Sequence, residues 1–167
     1  ERTDALPLAG GTDLMVLWNM GLLNDRAILD LSKISSWRNI REGKASLTLG
    51  ALASHADVRG HAAAAKHFPL LAQACAVVGG EQIQNRGTLG GNIANASPAG
   101  DTFPALAVYD AVCHMTAHTF KRSLPVMKVF AGVKKTHLKP GELIASVELP
   151  FPAKPSRQWF RKVGTRA

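Results

Sequence analysis

Two short segments constrain this chain more than any other feature. They are Ala9-Gly10-Gly11-Thr12-Asp13 and Thr88-Leu89-Gly90-Gly91-Asn92, each a glycine pair followed by a polar residue. The second opens the run Gly87–Asp101, GTLGGNIANASPAGD, which holds four glycines and no lysine, arginine or histidine. Glycine admits φ > 0 and lets another group approach the backbone closely, because no Cβ intervenes. Successive N–H groups in such turns form an anion-binding concavity, and a following helix N-terminus adds partial positive charge. Two such loops, one per lobe, can clamp a diphosphate with neutral donors alone. The plain alternative for each is an ordinary turn. GxGxxG and GxxxxGK[ST] are both absent, which excludes the dinucleotide fingerprint and the P-loop.

The 167 residues suit one domain or two small lobes, with 46% apolar and 19% charged residues. No apolar run reaches the roughly 18 residues of a spanning helix. The net charge of +8 is spread along the chain, densest at Lys121-Arg122, Lys134-Lys135 and Arg157 to Arg166. These groups do not interleave with aromatics as a base-stacking platform does. They read as a solvated face or a docking surface for a partner subunit, not as a nucleic-acid site. Cys75 and Cys113 lie far apart in apolar stretches. That is neither a disulfide framework nor metal-ligand spacing, and it fits buried thiols in a reducing, cytoplasmic compartment. The six histidines are dispersed, so no metal site is assigned.

Along the chain, Leu6–Leu8 reads as a strand, and Thr12 or Asp13 can cap a helix in which Leu14, Leu17 and Trp18 share a face. Gly21 stops that helix, and Ala27–Leu31 is a second strand. Residues 1–43 therefore read as a small α/β lobe, and 44–167 as a second, β-rich lobe. The strand and helix expected ahead of the first lobe lie outside the chain, which reads as truncated at its start. In the second lobe, Ser46–Leu52 alternates as a strand and Ser54 caps a helix containing Val58. Pro69 to Val78 is a helix ended by Gly79-Gly80. Glu81 to Gly100 reads as a loop, after which Asp101 caps a helix through Tyr109. Ala111–Ala117, Thr119–Leu124, Leu143–Leu149 and Trp159–Val163 read as strands.

Asn92, Asn95 and Ser97 can bond ribityl or phosphate oxygens, or simply hold the loop. Asp101 can accept from a ligand hydroxyl, cap its helix, or both. No nucleophile–base pair or carboxylate pair stands out.

The order and spacing of AGGTDL at 9–14, QIQNRGTLGGN at 82–92, ASPAGD at 96–101, PGELI at 140–144 and KVGTR at 162–166 resemble the FAD-binding domain of molybdenum hydroxylases. In bacterial members of the xanthine dehydrogenase and carbon monoxide dehydrogenase type, that domain sits in the medium subunit. The resemblance covers nearly the whole chain. It implies an α+β, two-lobed fold of the vanillyl-alcohol-oxidase (PCMH) type, a small α/β lobe plus a larger lobe with mostly antiparallel sheet and flanking helices. FAD would lie between the lobes. It further implies that Leu8, Ala9, Gly10, Gly11, Thr12 and Asp13, with Thr88, Leu89, Gly90, Gly91 and Asn92, hold the diphosphate and its flanks. Val78 would lie near the adenine, Asp101 would be an acidic FAD contact, and Ile144 and Lys162 would pack on or bond to the flavin.

The implied partners are a large molybdopterin-containing subunit and a small [2Fe–2S] subunit, with NAD as one possible acceptor. The reaction implied is electron transfer, carried by the cofactor. The family's segment before AGGTD and its C-terminal domain are missing, so the chain resembles a piece truncated at both ends. Position 84, often arginine in the family, is Gln84 here, which implies a weaker local contact. The competing expectation is a binding or assembly module of the same fold that has lost its flavin.

Overall fold

The computed structural model describes residues 5–23, 26–154 and 156–164. Thr165 and Arg166 of the KVGTR segment lie outside the described residues.

The chain opens with a small parallel unit. Strands β1 (Leu6–Leu8) and β2 (Ile28–Asp30) pair in parallel, joined through helix α1 (Leu14–Asn19). Gly21 at φ +71° follows the helix, as its stop signal required. Asp13 occupies the N-cap position of α1, but its side chain makes no capping bond. Leu14 and Leu17 turn inward, but Trp18 is 49% exposed and does not share their face.

The second unit is built on a five-stranded antiparallel sheet. Its strands are β3 (Ile40–Glu42), β4 (Ser46–Gly50), β5 (Val112–Thr116), β6 (Lys121–Pro125) and β9 (Leu143–Pro150), in the order β3-β4-β9-β5-β6. Strand alternation puts Leu47, Leu49, Cys113, Met115, Val147 and Leu149 on one face. The register pairs Leu47 with Leu149 and Leu49 with Val147. Between β5 and β9 the register slips at His114/Met115, so that Met115 opposes Ile144. The extra residue, Ala145, turns Ile144 onto the core face, where strict alternation from Val147 would have turned it away.

Helices α2 (His55–Gly60), α3 (Ala62–His67), α4 (Pro69–Ala76), α6 (Leu89–Asn95) and α7 (Phe103–Val108) close the core with Val58, Ala64, Leu71, Cys75, Ile93 and Leu106. Ser54 caps α2 in a full capping box with Asp57, bonds of 3.0 and 2.8 Å. Both cysteines are free and buried, and burial pushes each thiol up to about 12. Strands β7 (Phe130–Gly132) and β8 (Lys135–Thr136) form a small hairpin.

Three expectations are corrected. The segment from Glu81 to Gly100 is not a loop: it holds helix α5 (Glu81–Arg86) as well as α6. Glycine disfavours helix in isolation, but here Gly90 packs against Ala51 and Thr88 caps the helix, so tertiary contact overrides propensity. Asp101 does not cap α7: Thr102 sits at that N-cap, its hydroxyl donating to Asn92 Oδ1 rather than capping the helix, and Asp101 is bound elsewhere. Trp159–Val163 is not a strand; Trp159 (77%) and Val163 (87%) are exposed, and Phe160 alone of its apolar residues packs against the core.

Among the described residues no helix is long and apolar enough to cross a membrane.

Candidate functional site

The small unit docks on the larger one through glycine. A Cβ on Gly10 would fall 1.9 Å from the carbonyl oxygen of Arg86, so only glycine allows the first loop to meet the end of α5. Gly11, at φ +78°, then turns the chain into α1. This close approach leaves a cleft of about 480 Å³, well within the size range of ligand pockets. Ala9, Gly10, Gly11, Thr12, Asp13, Val78, Thr88, Gly91 and Asn92 all line it. Nine of the residues singled out from the sequence thus come together.

The two loops contribute different chemistry. No hydrogen bond among the described residues draws on the N–H groups of Gly10, Gly11 or Thr12. In the second segment the donors are already committed. Leu89 N–H bonds Ala53 O at 3.0 Å, and Gly90 N–H bonds Ala51 O at 2.9 Å. Gly91 N–H bonds Thr88 Oγ1 at 3.1 Å, and Asn92 N–H bonds Thr88 O at 2.9 Å. A Cβ on Gly90 would meet Ala51 Cβ at 2.6 Å, so this glycine serves packing. Leu89 is fully buried in the core. Gly91 faces the other way: a Cβ there would stand 2.8 Å from the capping Thr88 Oγ1 and 3.9 Å from Ala9 Cβ, between the loops.

The remaining residues lie apart. Leu8 sits in β1 and is only partly buried. Ile144 lines a separate apolar cavity of about 90 Å³ with Leu138, Glu142 and Gly90; Ala9 and Gly91 form the wall it shares with the cleft. The Arg122 guanidinium grips Glu142 through two 2.7 Å bonds, fixing the start of β9, and holds its carboxyl below the usual range. Lys162 and Asp101 bind each other at 2.9 Å, and Lys162 also donates to Val77 O at 2.8 Å. This pair braces the Val77–Val78 wall of the cleft.

Gln84 is buried and fully used. Its amide donates to Ala76 O and Gly79 O at 2.9 and 3.2 Å, and its carbonyl accepts from Arg59 at 2.8 Å. The expected weak contact is a well-filled one.

Several cleft residues escaped sequence reasoning. Lys134, at the tip of the β7–β8 hairpin, reaches over to Asn95 Oδ1 (2.8 Å) and Asp13 Oδ1 (3.4 Å). It supplies the positive charge that the glycine-rich run lacks, and no local signal ties it to that run. Ile93 is fully buried, while Ala94 lines the cleft beside Asn95, which the sequence had already singled out. His55 also lines the cleft and is 2% exposed, with Nδ1 buried and partnerless. Burial pushes its imidazole down to about 4, against an opposing pull from Asp101. Its only sequence signal was its place after the Ser54 cap.

Residues 1–152 match the family described as the FAD binding domain in molybdopterin dehydrogenase. The chain is 30% identical over 147 residues to the 6-hydroxypseudooxynicotine dehydrogenase complex subunit alpha of Paenarthrobacter nicotinovorans, covering 88% of this chain and 50% of that protein. It is 30% identical over 149 residues to the carbon monoxide dehydrogenase medium chain of Hydrogenophaga pseudoflava, covering 89% of this chain and 52% of that one. The solved quinoline 2-oxidoreductase of Pseudomonas putida 86 superposes with a TM-score of 0.85 at 30% identity, over 90% of this chain and 53% of that one. The chain spans about half the length of the curated relatives it matches.

Proposed function

The chain belongs to the FAD-binding domains of molybdopterin dehydrogenases, and on that premise we propose that its cleft holds the diphosphate region of FAD within an oxidoreductase complex. The convergence of both Gly-Gly segments on one cleft, with three free N–H groups on one side, carries this reading. Two features fit the cofactor. The free donors of Gly10, Gly11 and Thr12 suit an oxyanion, and a side chain larger than hydrogen at Gly91 would intrude between the loops.

The residues that would hold FAD are Leu8 to Asp13, Val78, Thr88, Gly91 and Asn92. Leu89 and Gly90 act from beneath as the packed floor. Ile144 offers apolar surface in the adjoining cavity, and Asp101 and Lys162 hold the Val77–Val78 wall in place. Lys134 at the rim adds a cation that can turn from Asp13 toward an arriving anion. The bound flavin would supply electron transfer, from the [2Fe–2S] clusters of a small subunit, fed by a large molybdopterin subunit, to NAD or another acceptor. No acid–base or nucleophilic group of this chain is asked to act.

The visible spectrum of the purified complete subunit tests the proposal. Flavin bands are expected in the wild type and should be lost in Gly91→Val. A colourless wild-type subunit sinks the reading and favours a flavin-free module of the same fold.

A further inference from the structure

His55 is the one cleft residue whose position costs the fold free energy without visible return. A buried polar atom without a partner is costly, by about 1–3 kcal/mol, and folded proteins rarely retain one. His55 Nδ1 is such an atom. The surrounding contacts explain where the ring sits but not why it is an imidazole. Its backbone N–H bonds Gly87 O at 3.0 Å, which fixes the start of α2 against the second loop and would do so for any residue. The ring edge faces Gly87: a Cβ there would lie 3.2 Å from His55 Cδ2 and 3.4 Å from Thr12 Oγ1. The imidazole and the Thr12 hydroxyl therefore flank the same glycine, beside the free N–H groups of Gly10 to Thr12.

We propose that His55 is a cofactor-binding residue, whose imidazole hydrogen-bonds an oxygen of the FAD diphosphate alongside the first glycine loop. This rests on the reading of the cleft as the FAD site. A Cβ at 87 would meet the Ile83 carbonyl oxygen first, at 2.9 Å, and glycine there also leaves the ring edge clear. Burial keeps the ring neutral, so it carries one N–H donor and adds no charge to the cleft.

The test is FAD titration of the flavin-stripped subunit, followed by flavin fluorescence, for the wild type and for His55→Phe, His55→Gln and His55→Asn. Melting of each stripped protein is recorded in parallel. His55→Phe should bind FAD about ten- to a hundredfold more weakly, the loss expected for a hydrogen bond to a charged group. Its stripped form should melt no lower than wild type, because no partner is left behind. One of His55→Gln and His55→Asn, which mimic the two ring nitrogens, should recover part of the affinity. Wild-type binding with unaltered affinity in His55→Phe overturns the inference and leaves the cleft reading standing. Failure of the wild type to bind FAD removes both. Should His55→Phe not fold, ¹⁵N-histidine spectra of the wild type decide: FAD should move the His55 ring-nitrogen resonances, and unmoved resonances overturn the proposal.

Discussion

In the first Gly-Gly segment the backbone is held from outside: Gly10 abuts Arg86 O, and the N–H groups of Gly10, Gly11 and Thr12 stay free. In the second, four consecutive N–H groups from Leu89 to Asn92 are spent on the fold itself. The local sequences look alike, but one segment offers donors and the other offers a rigid, close-packed floor. A glycine pair therefore says that backbones come close, and tertiary contacts decide whether to a ligand or to the protein.

The largest expected effects follow from swapping the two roles. Gly90→Val drives a side chain into Ala51 and should cost about 3 kcal/mol or more, read from urea unfolding of the stripped protein. Gly10→Ala forces the loop away from Arg86 O, with only backbone atoms to yield. It should abolish FAD binding while the unfolding of the five-stranded core moves little. The comparison breaks if Gly90→Val unfolds like wild type, or if Gly10→Ala still binds FAD normally.

Next comes the support under the second loop. Glu142→Ala removes both carboxylate bonds, leaves the partly exposed Arg122 only its bond to His137 O, and should lower stability at neutral pH. Because Arg122 holds the Glu142 carboxyl below its ordinary 4.5, the pair stabilises the fold above that value. Its contribution is lost as pH falls through the lowered value. His55 acts over a different window. Its imidazole, at about 4 in the fold and 6.5 when free, makes stability fall as pH drops from 6.5 toward 4. In acid unfolding curves, His55→Phe should flatten the upper part and Glu142→Ala the lower.

How much of this was legible depended on whether the deciding contact was local. The Ser54 cap, the β4 and β5 alternation and the burial of both cysteines were readable, because each rests on near neighbours and polarity. The helix at Leu89–Asn95 was not, since its glycines are justified only by Ala51, some forty residues away in sequence. Ile144 reaches the core through a bulge that alternation does not announce. Trp159–Val163 carried a strand-like pattern but has no strand to pair with among the described residues. At the site, the glycine segments identified the cleft, while His55 enters it and Lys134 reaches its rim from distant elements. Asp101, expected as an acidic FAD contact, and Lys162, expected beside the flavin, form a mutual ion pair at the cleft wall.

The smallest effect is the most discriminating. Thr88 Oγ1 accepts the Gly91 N–H at 3.1 Å and caps α6, so Thr88→Val should cost about 1 kcal/mol of stability. Thr88→Ser keeps the acceptor and should cost less. If the second segment is a floor whose donors serve the fold, Thr88→Val weakens that floor and yet releases one N–H toward the cleft. FAD affinity should then change less than twofold while the urea midpoint falls. A large affinity loss at unchanged stability would mean that the Thr88 hydroxyl itself meets the cofactor, and the division of labour between the two segments would have to be redrawn.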